Sequence, residues 1–296
     1  FSFGPGLKRL GHDFGNGQRD AQTFQLDRAF PTYRANCAAA LARHADAYAG
    51  VSALAPARLE AANRFIAARL CAEHPAFFRT DSGTLCCDLT GQRIALAGDP
   101  TAVFFGLAEQ VQEDLALVAL EDASEHLAAV HVTTPNYWSP RAKLGQSFAG
   151  VHAPVPSMEQ TKRQALPMLQ RIGAGNAYSR FVWGVETDDE LDHHPERVGD
   201  THDRSRAWHA APPEARRLWL RFERQTVQGV PDAAIVLFTI RTGLRAVCEL
   251  PDEDRALMAQ ALRGLQGKER TYKGLDRLGE QMLDQLEPTR KAPARE

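Results

Sequence analysis

No apolar run in this 296-residue chain approaches the length needed to span a bilayer. The opening stretch, FSFGPGLKRLGHDFGNGQ, lacks the apolar centre of a secretory signal. A soluble cytoplasmic protein is therefore the expectation. An excess of either charge is also lacking: 35 Lys and Arg stand against 37 Asp and Glu, a formal net charge of −2. No broad basic surface is on offer to nucleic acid or anionic lipid, so neither is an expected partner. Cysteine is sparse and odd in number, at Cys37, Cys71, Cys86, Cys87 and Cys248, with no CxxC pair. Cys86 and Cys87 are adjacent in a strand-like stretch, where neighbouring side chains point to opposite faces. Such a pair makes a poor chelate and a poor disulfide, so reduced thiols are expected.

Several catalytic signatures are absent as well. There is no GxxxxGK[ST] phosphate loop, no GxGxxG after a strand, no GxSxG elbow and no HExxH. The segment DDELDHHPERVGDTHDRSRAWH gathers Asp188, Asp189, Asp192, His193, His194, Asp200, His202 and His209, residue types that suit zinc or iron. It has no compact ligand pairs and is charged throughout. A solvated loop is the expectation there, with a metal-dependent hydrolase as the lesser reading.

What is present is an ordinary globular composition, 44% hydrophobic and 24% charged. The first 30 residues are polar and Gly-rich and read as an irregular arm. Residues 31–287 read as one domain, and 288–296 as a disordered tail. Helices are predicted from Pro31 and from Pro56, the second with Leu59, Ala62, Phe65, Ile66 and Leu70 on one face. TLCCDLTGQRIALAG reads as a β-hairpin turning at Thr90-Gly91. Asp99-Pro100 opens a further helix. LALVAL, LAAVHVTT and YSRFVWGVE read as strands, and 158–171 and 252–286 as helical. In RLWLRFERQ, alternation puts Leu218, Leu220, Phe222 and Arg224 on one face. AAIVLFTIR is apolar on both faces, which predicts a central strand ending at Arg241. Helices, then antiparallel strands, then helices argue for an α+β fold.

The stretch richest in chemistry is WSPRAKLGQSFAGVHAPVP, Trp138 to Pro156. It joins an amphipathic aromatic, two cations, one His and a stiff Pro-Val-Pro that restrains the backbone beside that His. On composition alone His152 is a core histidine satisfied by a backbone carbonyl, or a pre-set ligand. The stretch resembles the signature of the haem-dependent oxidative N-demethylase family, W-S-x-x-x-K-[IL]-G-x-x-[FL]-x-x-[IV]-H-x-P-V-P. Trp138, Ser139, Lys143, Leu144, Gly145, Phe148, Val151, His152, Pro154, Val155 and Pro156 all fit. Further blocks follow in order: Leu89-Thr90-Gly91, Gln112 to Val118, Glu223 to Thr226, Leu237 to Thr242, and Tyr272 to Gly274. The resemblance spans about Pro31 to Gly274.

The resemblance implies a PAS-like antiparallel sheet enclosing a haem, with helical elaborations towards both chain ends. It implies a b-type haem with a His axial ligand, for which His152 is the candidate. Haem propionates need charge-assisted partners, and Arg offers a bidentate fork. Arg224 and Arg241 are the favoured candidates, with Lys143 behind them. Trp138 and Trp183 are candidate walls of the site. A cationic substrate favours a nearby carboxylate or aromatic face, and Glu223 and Glu186 are candidates. The implied reaction is monooxygenation of a small methylated amine by O2, releasing formaldehyde. No segment resembles a reductase, so electrons come from a separate NADPH-dependent partner carrying FMN and an iron–sulfur cluster. The alternative is a haem-based sensor or carrier without turnover. Three departures bear on the substrate side: Val182 where the family's R-x-N-W block has Asn, Gly243 where a Tyr often follows IRT, and Gln228 to Pro231 in place of R-L-P.

Overall fold

The structure, a computed structural model, describes residues 6–15, 17, 19–199 and 201–286. The tail expected to be disordered lies outside them. Three two-residue strands open the chain: β1 (Lys8–Arg9), β2 (His12–Asp13) and β3 (Arg19–Asp20). Helix α1 (Phe30–Tyr48), strand β4 (Ala49–Val51) and helix α2 (Pro56–Glu73) follow. Both helices carry a proline in the first turn, where its missing amide forfeits no bond. On α2 the spacing marked the right face: Leu59, Ala62, Ile66 and Leu70 are buried and Phe65 is half-buried.

The predicted hairpin is present and gains one strand. β5 (Phe78–Asp81), β6 (Thr84–Cys87) and β7 (Gln92–Ala95) form a small antiparallel sheet, with Gly91 at φ +70° in the second turn. Helix α3 (Pro100–Ala108) begins where expected, its first amides held by the Asp99 carboxylate at 3.1 and 3.3 Å.

The main sheet has seven antiparallel strands. Its long members are β8 (Asp114–Leu120), β9 (Glu125–His131), β10 (Ala177–Glu186), β11 (Trp219–Val230) and β12 (Ile235–Ala246). The order is β1-β10-β11-β12-β8-β9-β4. Strand β12 is central, as its apolar run predicted, and it continues past Arg241 to Ala246. The connection from β9 to β10 carries four short helices: α4 (Pro140–Lys143), α5 (Phe148–Val151), α6 (Glu159–Arg163) and α7 (Ala165–Gly173). Helices α8 (Pro195–Val198) and α9 (Thr201–Ala210) link β10 to β11. Helices α10 (Asp252–Arg263), α11 (Gly267–Tyr272) and α12 (Leu275–Leu286) end the described chain.

Strand alternation divides the sheet into two faces. One carries Phe222, Arg224 and Thr226 of β11 beside Gly243, Arg241 and Thr239 of β12. At one end of this face Leu115, Leu117, Ile235 and Leu237 pack on α2 and α3. At the other end Trp183, Val185 and Leu220 pack on α9, α10 and α12. The opposite face meets the β9–β10 crossover: Ala116 and Phe238 pack with Trp138 and Val151, and Val227 and Val236 with Phe148 and Ile172.

Two segments read as loose are held tightly. In the N-terminal arm Thr23 and Phe24 are fully buried. Their amides donate to the Glu73 carboxylate at 2.8 and 2.9 Å. The Gln25 amide donates to Glu113 and the Asp27 amide to Gln112, each at 2.8 Å. The acidic segment after β10 is not a solvated loop. Asp192, His193 and His194 are buried. Asp188 pairs with Arg204, Glu190 with Arg197, and Asp192 with Arg43 and the Tyr48 hydroxyl. Its acids and bases neutralise one another, which removes the reason for exposure. Asp200 and the side chain of His202 lie outside the described residues. Among the described residues no helix is long and apolar enough to cross a membrane.

Candidate functional site

His152 sits at the C-terminal end of α5. That single turn forms because Ser147 caps it, its hydroxyl accepting from the Gly150 amide at 3.2 Å. The His152 ring stacks on Phe148 with centroids 4.1 Å apart. Its Nδ1 lies 2.9 Å from the Phe148 carbonyl oxygen. A carbonyl can only accept, so Nδ1 carries the proton and Nε2 keeps a bare lone pair. Nε2 has no hydrogen-bond partner among the described residues. Burial holds the imidazole below its ordinary pKa, and the nearby charges of Arg180, Lys162 and Lys143 add to this; the Phe148 bond acts in the opposite sense. The ring is thus neutral at pH 7, the form that ligates a metal.

The rest of the stretch serves to place that ring. The Ser139 hydroxyl caps α4, accepting from the Ala142 amide at 3.3 Å. Gly145, at φ +80°, turns the chain so that its amide donates to Leu127 of β9 at 2.8 Å. Lys143 donates to the Gly150 carbonyl at 3.3 Å. Trp138 packs in the same cluster as Val151 and Phe238. Ser157, just past the Pro-Val-Pro, donates to Glu269 of α11 at 2.6 Å and ties the turn to the C-terminal helices.

The facing wall comes from β10 and β11. Register places Arg180 opposite Gln225, Val182 opposite Glu223, and Gly184 opposite Arg221, all on the crossover face. Arg180 Nε donates to Gln225 Oε1 at 2.7 Å, and Gln225 Nε2 donates to Glu223 Oε2 at 2.9 Å. Glu223 Oε1 lies 3.8 Å from Arg221 Nε. A Cβ built on Gly184 meets no atom within 4 Å, so the wall is open above this strand interior. Lys273 donates to the Trp183 carbonyl at 2.6 Å, and Tyr272 lies close enough to Glu223 and Arg180 to feel their charges. Burial pushes the Arg180 and Lys273 pKa values down and that of Tyr272 up.

The structure brings Lys143 and Trp138 together with His152, and it sets Arg224, Arg241 and Trp183 apart on the other face of the sheet. Arg224 is buried and paired with Asp20, Nε to Oδ1 at 2.7 Å. Arg241 pairs with Asp27 at 2.8 Å, its guanidinium carbon 5.7 Å from the Tyr33 ring centroid. The parity read along β11 was right, but that face belongs to the N-terminal arm. Trp183 lies in the core formed with α9, α10 and α12. Of the two carboxylates, Glu223 lies on the crossover face among cations. Glu186 accepts from Asn136 and the Tyr137 hydroxyl at 3.1 and 3.2 Å. Arg180 and Gln225 were missed. The alternation Tyr178, Arg180, Val182, Gly184 in a strand-like stretch could have pointed to Arg180.

The chain matches the family model for haem-dependent oxidative N-demethylase, alpha subunit-like, over residues 16–283. It belongs to this family. No curated protein matches it. Family membership makes haem the group to test against the site, and the donor set fits: a neutral imidazole with Nε2 bare lies near Arg180, on the sheet face that also carries the open space at Gly184.

Proposed function

We propose that this chain is the haem subunit of an oxidative N-demethylase. It would bind haem b in a PAS-like fold, with His152 as the residue that would hold the haem iron. What supports the PAS-like reading is an antiparallel sheet with a helical crossover packed on one face. The bare Nε2 of His152, set by the Nδ1 bond to Phe148, carries the haem reading.

When bound, the haem supplies the activation of O2 for oxidation of an N-methyl group, with release of formaldehyde. The chain's own residues do the rest. The Phe148 carbonyl fixes the His152 tautomer and makes Nε2 a better donor. Trp138, Phe148 and Val182 give the site apolar walls. Glu223 offers a carboxylate to a small methylated amine from the wall beside Val182. Electrons come from a cytoplasmic, NADPH-dependent partner carrying FMN and an iron–sulfur cluster. Val182, apolar where the family block has Asn, favours a second reading, a haem-based sensor or carrier without turnover. Steady formaldehyde release from small methylated amines with a reductase present distinguishes the two.

The test of the ligand is His152→Ala. Wild-type protein titrated with haem is expected to give a Soret band of a His-ligated haem, and the variant to lose or shift it. An unchanged band in the variant refutes His152 as the ligand. No band in the wild type refutes the haem reading itself.

A further inference from the structure

Arg180 is held in an unusual way for a half-buried guanidinium. Its Nε is bonded to a neutral amide, Gln225 Oε1, at 2.7 Å. No carboxylate lies within ion-pair distance of it among the described residues. Neither Nη atom has a hydrogen-bond or ion-pair partner among the described residues. Removing such a charge from water is costly unless something compensates it. The Gln225 amide cannot be flipped, because its Nε2 donates to Glu223 at 2.9 Å and a flip would set oxygen against oxygen. The chain Glu223–Gln225–Arg180 therefore orients the guanidinium while leaving its two outer nitrogens for another acceptor.

The other cations near His152, and Arg221 on the same sheet face as Arg180, are already engaged. Lys143 donates to Gly150 at 3.3 Å, and Lys162 to Ala153 and Val155 at 3.5 and 3.3 Å. Arg221 donates to the Leu191 and Thr134 carbonyls at 3.0 and 2.6 Å. Arg180 lies on the face that looks towards His152, four residues along β10 from the opening at Gly184.

We infer that Arg180, oriented by Gln225 and Glu223, is the carboxylate anchor of this site and takes a propionate of the haem. This rests on the haem reading above. It replaces Arg224 and Arg241, whose guanidinium groups are paired on the far face. A fork of two parallel N–H donors matches a carboxylate, and such charge-assisted bonds are among the stronger ones.

Apo-protein is titrated with haem and with haem dimethyl ester, and uptake is followed at the Soret band. Wild type is expected to prefer the diacid over the diester by about 10- to 100-fold, the value of one charge-assisted contact. Arg180→Met is expected to lose a similar factor in diacid affinity, with the Soret position unchanged because His152 still ligates. Its preference for the diacid should shrink towards the residual pull of Lys143 and Lys162, and Arg180→Lys should fall between. Equal binding of diacid and diester by wild type overturns the inference without needing any variant to fold. So does an Arg180→Met protein that keeps the full preference. A wild type with no Soret band removes both this inference and the haem reading, whereas a band that ignores Arg180 removes this inference alone.

Discussion

Arg224→Met separates two roles that the sequence alone leaves open for this residue. In the structure Arg224 is 3% exposed. Its Nε donates to Asp20 Oδ1 at 2.7 Å and its Nη1 to the Thr23 carbonyl at 3.2 Å, and Nη2 reaches both Asp20 and the Gln22 carbonyl. Met fills similar volume but leaves the buried Asp20 carboxylate without its counter-charge. Breaking one side of a buried pair costs about 3–5 kcal/mol. For a chain of this size, at the lower end of ~2–4 °C per kcal/mol, that is roughly 6–10 °C in Tm. Differential scanning calorimetry of apo-protein measures it free of any stabilisation by bound haem. Asp20→Asn combined with Arg224→Met should recover part of the loss, since no unpaired charge then remains. Haem affinity of refolded Arg224→Met should stay within about twofold of wild type, because the side chain is on the face away from His152. A variant that melts like wild type but binds haem poorly would refute this reasoning and return Arg224 to the cofactor.

Glu113 is fully buried, and burial pushes its pKa up to about 7. A carboxyl raised from 4.5 in the folded state holds its proton there while the unfolded chain has lost it. Its stabilising effect is complete below pH 4.5 and is lost as pH rises to about 7. Wild-type Tm should therefore fall faster than that of Glu113→Gln between pH 5 and 8, and parallel curves would rule the argument out. Two strand glycines should respond in opposite ways. A Cβ on Gly229 would lie 2.3 Å from the Ile172 carbonyl oxygen, which is backbone and cannot step aside, so Gly229→Ala should cost about 1–3 kcal/mol or more by thermal melt. Gly184→Val has open space and should change stability by less than about 0.5 kcal/mol. It should lower haem affinity measurably by filling the opening, and unchanged Soret titration would show that haem does not use that wall.

Local patterns were legible where one residue type has one structural meaning. Proline opened α1, α2 and α3, and Asp99 capped the last of these. The doubly apolar run from Ile235 named the central strand. Pairing across long sequence distances was not legible. The acidic segment after β10 looked like a solvated loop because its composition is that of one. Its middle, Asp192 to His194, is buried because Asp192 meets Arg43 and Tyr48, contributed by α1 and almost 150 residues earlier in the chain.

The same limit explains the site. Alternation along β11 correctly grouped Arg224 with Leu220 and Phe222, but alternation assigns a side chain to a face and not a face to a neighbour. Which face meets the crossover depends on where residues 132–176 return, and which meets the arm depends on Glu73, Glu113 and Gln112 holding residues 23–27. Once those contacts exist, the two arginines on the arm face have Asp20 and Asp27, and need nothing more. Arg180 differs from them by one step of parity. On the opposite face the nearest acid, Glu223, meets Gln225 and Arg221 and makes no ion pair with Arg180; the residue across from Arg180 is Gln225, a neutral side chain that can orient a cation without neutralising it. The Trp138 to Pro156 stretch carries the candidate ligand His152, and the strand register singles out Arg180 on the same face as a cation whose two outer nitrogens have no partner among the described residues.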